Sequence, residues 1–353
     1  MTHLWYVPNE ADAGHRGDEK TADHNSLDTL TEHARLIEDT GWDGALIGTG
    51  WGRPDTFTVA TALAARTTTF RPLIAVRPGY WHPARFASAA ATLDHLSGGR
   101  VLVNVVSGED SPAAYGDQPV DRAARYARTG EFLRIVRKLW TEEDVTVTGE
   151  HYRVTGSTLA QRPAAPPPFF FGGASPEAER VAAAEADVQL FWGEPLDDVR
   201  DRIARLRRLS DEVGRRHAPL EFGLRVTTVV RDTSDEAWAD AHARVDAMAA
   251  GTVARDKDWQ AAVGQQRLLG LAERGEVLDG NLYTAPGRYG AAGAGTTWLV
   301  GSADEVARSL RRYQDLGIRH FILSDTPYRR EVRRQGRNLL PLLRRSSAAA
   351  PAG

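Results

Sequence analysis

The feature that most constrains this chain is its rhythm, in which a short apolar run is followed by a connecting stretch, mostly of helical period, over and over. Eight such runs occur: Leu4–Val7, Ala45–Ile47, Leu73–Val76, Val101–Val106, Phe169–Phe171, Val188–Phe191, Phe222–Val230 and His320–Leu323. After the first, Leu27, Leu30, Ala34 and Ile37 recur along one helix face, and Gly41 supplies a C-terminal stop. Further helical stretches read at 57–65, at 84–96, around Phe132, Leu133, Val136 and Leu139, from Pro176, over 202–213, over 233–248, from Ser302 to Leu316, and to about Arg345. Thr233/Glu236 and Ser302/Glu305 carry the spacing of a capping box. Short strands separated by helices argue for a parallel α/β fold. The expectation is a TIM-type (β/α)8 barrel; a doubly wound open sheet is the alternative that the same rhythm allows.

The rhythm breaks twice. Val145–Val154 alternates like a hairpin turning near Gly149 and Glu150, and a proline-rich connector follows at 163–168. Residues 250–297 carry no clear barrel unit and read as an insertion after strand seven. Their glycine-rich end, 287–297, reads as a lid. The expected organisation is one barrel domain over 1–345 with a disordered tail at 346–353.

Composition excludes several classes. A chain of 353 residues buries a core without staples. A net charge of −3 leaves no basic footprint for nucleic acid. There is no apolar run of about 18 residues for a membrane span, and the N-terminus lacks a signal-peptide pattern, so a cytoplasmic protein is expected. With no cysteine, disulfides, thiolate nucleophiles and cysteine-bound metals are ruled out. None of the ten histidines forms a His-Glu-x-x-His pair, and no metal site is expected.

A barrel of this type carries its site at the C-terminal ends of its strands. There the sequence offers Asn9, Glu10 and Glu19; Thr49, Trp51 and Arg53; Arg77, Tyr80, Trp81 and His82; Ser107, Glu109 and Asp110, with Asn104 inside its strand; Trp192 and Glu194; Arg225 and Thr227; and Asp325, Thr326 and Tyr328. The set is aromatic and arginine-bearing and contains no triad, which suits a flat ring and an anionic group. In Phe169–Glu179 a strand ends in Gly172 and Gly173, Ser175 takes the N-cap position and Pro176 the first helical one. Backbone N–H groups at such a start hold a phosphate, or the segment is simply a well-capped turn. Arg225 inside an apolar strand calls for an anionic partner, either a ligand or a structural carboxylate.

At these residues the sequence resembles the luciferase-like flavin monooxygenases, in particular the alkanesulfonate and dimethyl-sulfone monooxygenase branch. The similarity runs from LWYVP at 4–8 to LLPLL at 339–343, through TGWDGALIGTG, RYARTGEFLRIVRKLW, FFFGGAS, WGEP, FGLRVTTVVRDTSDEAW, VGQQR and FILSDTP. The resemblance implies the barrel, a dimer or tetramer, and reduced FMN delivered by a separate NAD(P)H-dependent flavin reductase. It implies that dioxygen adds to that flavin and that the flavin peroxide oxygenates a small organic substrate, an organosulfur compound such as a sulfonate or sulfone. It assigns Trp192, Arg225, Glu19 and Arg53 to the active site. To the cofactor it assigns Ala75, Asn104, Arg122, Tyr126, Gly173, Ala174 and Ser175, with Tyr126 and Ser175 near the phosphate. The substrate side departs from the family pattern. Arg53 stands at the position of a cysteine, Thr227 of a histidine and Thr326 of a tyrosine; the family's loop arginine falls near Ala291, and Glu10 and Arg122 replace histidines. Two other functions remain open on the same barrel: deazaflavin-dependent hydride transfer, and flavin binding without catalysis.

Overall fold

The computed structural model describes residues 1–10, 12–108, 112–118, 120–250, 263–292 and 296–347. Strand β1 (Thr2–Val7) leads through helix α1 (Leu27–Asp39) to β2 (Gly44–Ile47), α2 (Thr56–Ala64), β3 (Arg71–Val76), α3 (Pro83–Ser97), β4 (Leu102–Val106) and α4 (Arg122–Thr141). A small hairpin, β5 (Val145–Thr148) and β6 (Arg153–Ser157), stands apart from the main sheet. The chain returns with β7 (Phe169–Gly172), α5 (Pro176–Glu185), β8 (Val188–Trp192), α6 (Leu196–Glu212) and the long β9 (Glu221–Arg231).

After β9 come α7 (Ser234–Ala250), α8 (Val263–Arg274), the short strands β10 (Val277–Leu278) and β11 (Leu282–Tyr283), and β12 (Trp298–Ser302). Helix α9 (Ala303–Asp315), β13 (Ile318–Ser324), α10 (Tyr328–Asn338) and α11 (Leu340–Ser347) complete the chain. Strands β13, β1, β2, β3, β4, β7, β8 and β9 neighbour one another in parallel, and β9 pairs with both β8 and β13. That double pairing closes the barrel and settles the choice against an open sheet.

Local chemistry sets the helix starts. Ser26, Asp55, Asp121, Ser175 and Ser302 each accept a backbone N–H of the first turn of α1, α2, α4, α5 and α9. Ser302 and Glu305 form a complete capping box. Helix α6 begins at Leu196, earlier than the charged stretch from Arg202 suggests, because Leu196 and Val199 are buried and Asp197 and Asp198 favour the first turn.

The insertion holds more order than its sequence rhythm predicts. Strand β9 is 11 residues long, and its end, Thr227–Arg231, pairs in parallel with β12. That segment outruns the barrel, and its backbone groups need partners. Strands β11 and β10 add antiparallel to β12. The stretch expected to be a lid is partly tethered. Gln265 Nε2 donates to Gly287 O at 2.8 Å and Arg288 Nη2 to Ala272 O at 3.0 Å, which fixes the 285–292 segment to α8. Residues 293–295 of that stretch, Glu109, Asp110 and the tail from 348 lie outside the described residues. Among the described residues no helix is long and apolar enough to cross a membrane.

Candidate active site

Side chains alternate faces along a strand. One buried cluster marks the inside of the barrel: Leu4, Tyr6, Leu46, Leu73, Leu102, Phe170, Val188, Leu190 and Ile322, joined by Tyr328 from the start of α10. Stepping by two toward the C-terminal ends puts Ala75, Asn104 and Trp192 on this face. On β9 the same face is marked by Gly223, where an added Cβ would lie 2.7 Å from Leu190 Cδ2, so Arg225 also faces inward. Ala75 lies beside Asn104 in the β3–β4 register, and Trp192 beside Arg225 in the β8–β9 register.

Arg225 is 7% exposed. Burial, and then the charge of Arg16, pull its pKa down to about 10, so it remains protonated at neutral pH. Its guanidinium lies 5.2 Å from the Tyr6 ring centroid and donates to Ser324 Oγ across a long 3.4 Å. Among the described residues no carboxylate forms an ion pair with it. Arg16 lies 5.7 Å from the same Tyr6 ring, and its Nε and Nη1 are buried with no hydrogen-bond partner among the described residues. The Tyr328 ring is 5.4 Å from that of Tyr6, and its buried hydroxyl also has no partner among the described residues. Such groups are costly to bury alone and suit a bound anion.

Arg53 behaves differently. It pairs with Glu10 and donates to the Tyr6 hydroxyl at 3.3 Å. Burial lowers its pKa, but Tyr6 and Glu10 more than offset this and the net shift is upward. Its charge is matched within the protein, so it is not a free anion receptor. Trp192 stays half exposed at the mouth; an added Cβ on Gly264 of α8 would come 3.3 Å from its Cζ3. The indole therefore forms a wall between barrel and insertion. Glu19 is exposed on the loop after β1, lining a recess with Asp18, His24 and Arg329. Among the described residues no hydrogen bond or ion pair joins its carboxylate to Arg225.

The other half of the mouth is built on the start of α5. Ser175 Oγ accepts the Ala178 N–H at 3.3 Å, and Pro176 takes the first helical position. A Cβ on Gly173 would fall 2.6 Å from Ala178 Cβ, so this turn packs closely only as glycine. The Gly173 carbonyl accepts from Gln189 Nε2 at 3.1 Å and Arg202 Nη2 at 3.0 Å. Arg202 is itself buried, paired with Glu179 at 3.0 Å and with Glu194. Burial raises the pKa of Tyr126, whose hydroxyl bonds the Ser175 side chain; Arg125 and Arg122 act on it in turn. Exposed Arg122 and half-buried Arg125 thus stand beside Tyr126, Ala174 and the helix start.

These residues fit the phosphate of FMN. The Glu177 carboxyl on the same first turn is held below its usual range by the Ser175 hydroxyl, its own N–H and Arg122, the direction expected for an anionic group near a helix N-terminus. On the other side of β7 from Arg225, Asn104 of β4 offers a polar group and Ala75 of β3 leaves space on the inner wall.

Sequence reasoning missed Arg16, Tyr6 and Arg125. Tyr6 was detectable as the inward position two residues after Leu4. It also did not group the aromatic residues of three loops, where Tyr115 stacks on Tyr80 at 4.0 Å and meets Trp51 edge-on at 5.1 Å.

Solved structures share this architecture. The EDTA monooxygenase EmoA from Chelativorans sp. BNC1 superposes with a TM-score of 0.77 at 18% identity, covering 99% of this chain and 94% of that one. DmoA from Hyphomicrobium sulfonivorans gives 0.77 at 20% identity, covering 100% and 89%. A tetrahydromethanopterin reductase from Methanopyrus kandleri gives 0.67 at 15% identity, covering 96% and 98%. At these identities the likeness establishes the fold. A family model described as luciferase-like monooxygenase matches residues 1–320, and the chain therefore belongs to the luciferase-like monooxygenase family and is a flavin-dependent monooxygenase.

Proposed function

We propose that the chain is the oxygenating component of a two-component system, using reduced FMN and dioxygen to oxygenate a small anionic organic substrate. The organosulfur class, to which the resembling branch points, is the first to test. The observation that carries this reading is Arg225, a buried arginine with no carboxylate partner among the described residues, on β9 two strands along the barrel from β7 and the anion cradle at the start of α5. Reduced FMN, when bound, supplies the electrons that activate dioxygen. The protein's part is positioning. Ser175, Tyr126, Arg122 and Arg125 hold the phosphate end, with the Gly173–Ala174 turn beside them. Asn104 and Ala75 border the ring, Trp192 screens the mouth from water, and Arg225 orients the substrate anion. The electron supply is a separate NAD(P)H-dependent flavin reductase. The protein works in the cytoplasm as a dimer or tetramer.

The test is an anaerobic titration with reduced FMN, oxidised FMN and a reduced deazaflavin, followed by mixing with oxygen. Preferential binding of reduced FMN and substrate-dependent oxygen uptake are expected. Binding of the deazaflavin alone, without oxygen uptake, would overturn the reading in favour of hydride transfer on the same barrel.

A further inference from the structure

Arg225 does not stand alone. Arg16 comes from the loop after β1, a different part of the chain, yet its guanidinium and that of Arg225 lie 5.7 and 5.2 Å from one ring, that of Tyr6. Arg16 is the largest charge acting on Arg225. The backbone of Arg16 is left-handed, with φ 57° and ψ 31°, an uncommon conformation for a residue with a side chain. It is held there by the Thr326 hydroxyl, which donates to the Arg16 carbonyl at 2.8 Å. Among the described residues the carboxylates do not neutralise the group: Glu10 pairs with Arg53 and also feels the charge of Arg16, one carboxylate between two guanidinium groups, while Arg225 has none. Asp18 accepts the Tyr328 N–H at 2.9 Å and faces Arg329. What remains among the described residues is two guanidinium groups, the unpartnered Nε and Nη1 of Arg16 and the unpartnered hydroxyl of Tyr328, all around one ring pair.

We propose that Arg16 and Arg225, with the Tyr328 hydroxyl, form a receptor for a compact dianionic tetrahedral head group, so that the substrate carries a phosphate-monoester or phosphonate end. The proposal rests on the reading above that Arg225 binds the substrate anion. Arg16, Arg53 and Arg225 gather around Tyr6 with one carboxylate, Glu10, a surplus of two positive charges that a dianion matches and a single negative charge does not. Two planar forks present paired N–H donors to a tetrahedral oxyanion from two sides. The two cations lie 5.7 and 5.2 Å from one ring centroid, and Arg16 is the largest charge acting on Arg225, which favours one compact head over two separated acids. The organosulfur reading is narrowed accordingly: the sulfur centre and the charged head are different parts of the substrate.

The test uses two esters of one shape and different charge, ethyl phosphate and ethyl sulfate, at about pH 8, where the phosphate ester is a dianion. Succinate represents two separated carboxylates. Binding to the full chain is measured by calorimetry with and without oxidised FMN. Ethyl phosphate is expected to bind about tenfold or more tightly than ethyl sulfate. Arg16→Gln should remove that preference, Arg16→Lys should restore part of it, and Arg225→Gln should weaken both esters. Equal affinity for the two esters, a preference that survives Arg16→Gln, stronger binding of succinate than of ethyl phosphate, or no saturable binding of either ester would each overturn the proposal. The flavin titration is read independently, so failure of the cofactor reading and failure of the head-group assignment are distinguishable.

Discussion

Replacing Arg202 by methionine tests how the flavin-side turn is held. Arg202, Glu179 and Glu194 are 4%, 5% and 2% exposed. Arg202 bonds both carboxylates and the Gly173 carbonyl. Removing one member of a buried ion network leaves charge uncompensated, which costs about 3–5 kcal/mol. Here each carboxylate keeps a second arginine, Glu179 with Arg205 at 2.8 Å and Glu194 with Arg267 at 2.5 Å, which places the loss toward the lower end. Gly173 also keeps Gln189. A loss of about 3 kcal/mol is expected at neutral pH, measured by urea unfolding. The pH dependence supplies a second check. Burial raises both carboxyl pKa values, but Arg205 and Arg202 acting on Glu179, and Arg202 and Arg267 acting on Glu194, more than offset it, and both end below 4.5. Groups with depressed folded pKa stabilise above their unfolded pKa and lose that contribution as pH falls below it. The gap between wild type and Arg202→Met should therefore be full at neutral pH and shrink below about pH 4.5, followed as far as the wild type stays folded. Loss of the Gly173 anchor should also weaken reduced-FMN binding. A neutral-pH loss below about 1 kcal/mol, or a gap indifferent to acid, would refute the reasoning.

Three further outcomes are expected. Arg225→Met should lower kcat/KM about 100-fold while raising the melting temperature, because an unpaired buried charge is replaced by an apolar chain. With its folded pKa pulled down to about 10, below its ordinary value, Arg225 destabilises the fold fully at neutral pH, and a lower melting temperature for the variant would contradict this. Ser175→Ala should cost about 1 kcal/mol as a lost N-cap and weaken reduced-FMN binding, while Tyr126→Phe weakens binding with little change in stability; unchanged flavin titrations for both would remove them from the phosphate site. His33 is buried against the Tyr6 carbonyl at 3.3 Å, and burial pulls its pKa down to about 4. Its contribution is present above pH 6.5 and is lost as pH falls from there toward about 4, so His33→Gln should flatten acid unfolding in that window.

The barrel was legible because its information is local. Apolar runs of strand length, capping serines and aspartates, and glycines after helices each act over a few residues, and Arg225 stood out as a charge within an apolar strand. The start of α6 and the strand β12 were less visible. Leu196 and Val199 are too few to mark a helix face by periodicity alone against the five charges of 196–202, and β12 exists as a strand because β9 outruns the barrel.

The site residues divide along the same line. Sequence placed Ser175 at a helix start and Asn104, Trp192 and Arg225 near strand ends, since strand alternation and capping are properties of neighbouring residues. It could not say that Arg53 pairs with Glu10, or that Arg16 joins Arg225 at the Tyr6 ring. Those are facts of barrel closure, which brings the carbonyl of Arg16 to the hydroxyl of Thr326, 310 residues away. Charge compensation depends on such distances in space, and so the chain by itself determined which arginines could bind an anion, while only the closed fold decided which of them are left without a counterion.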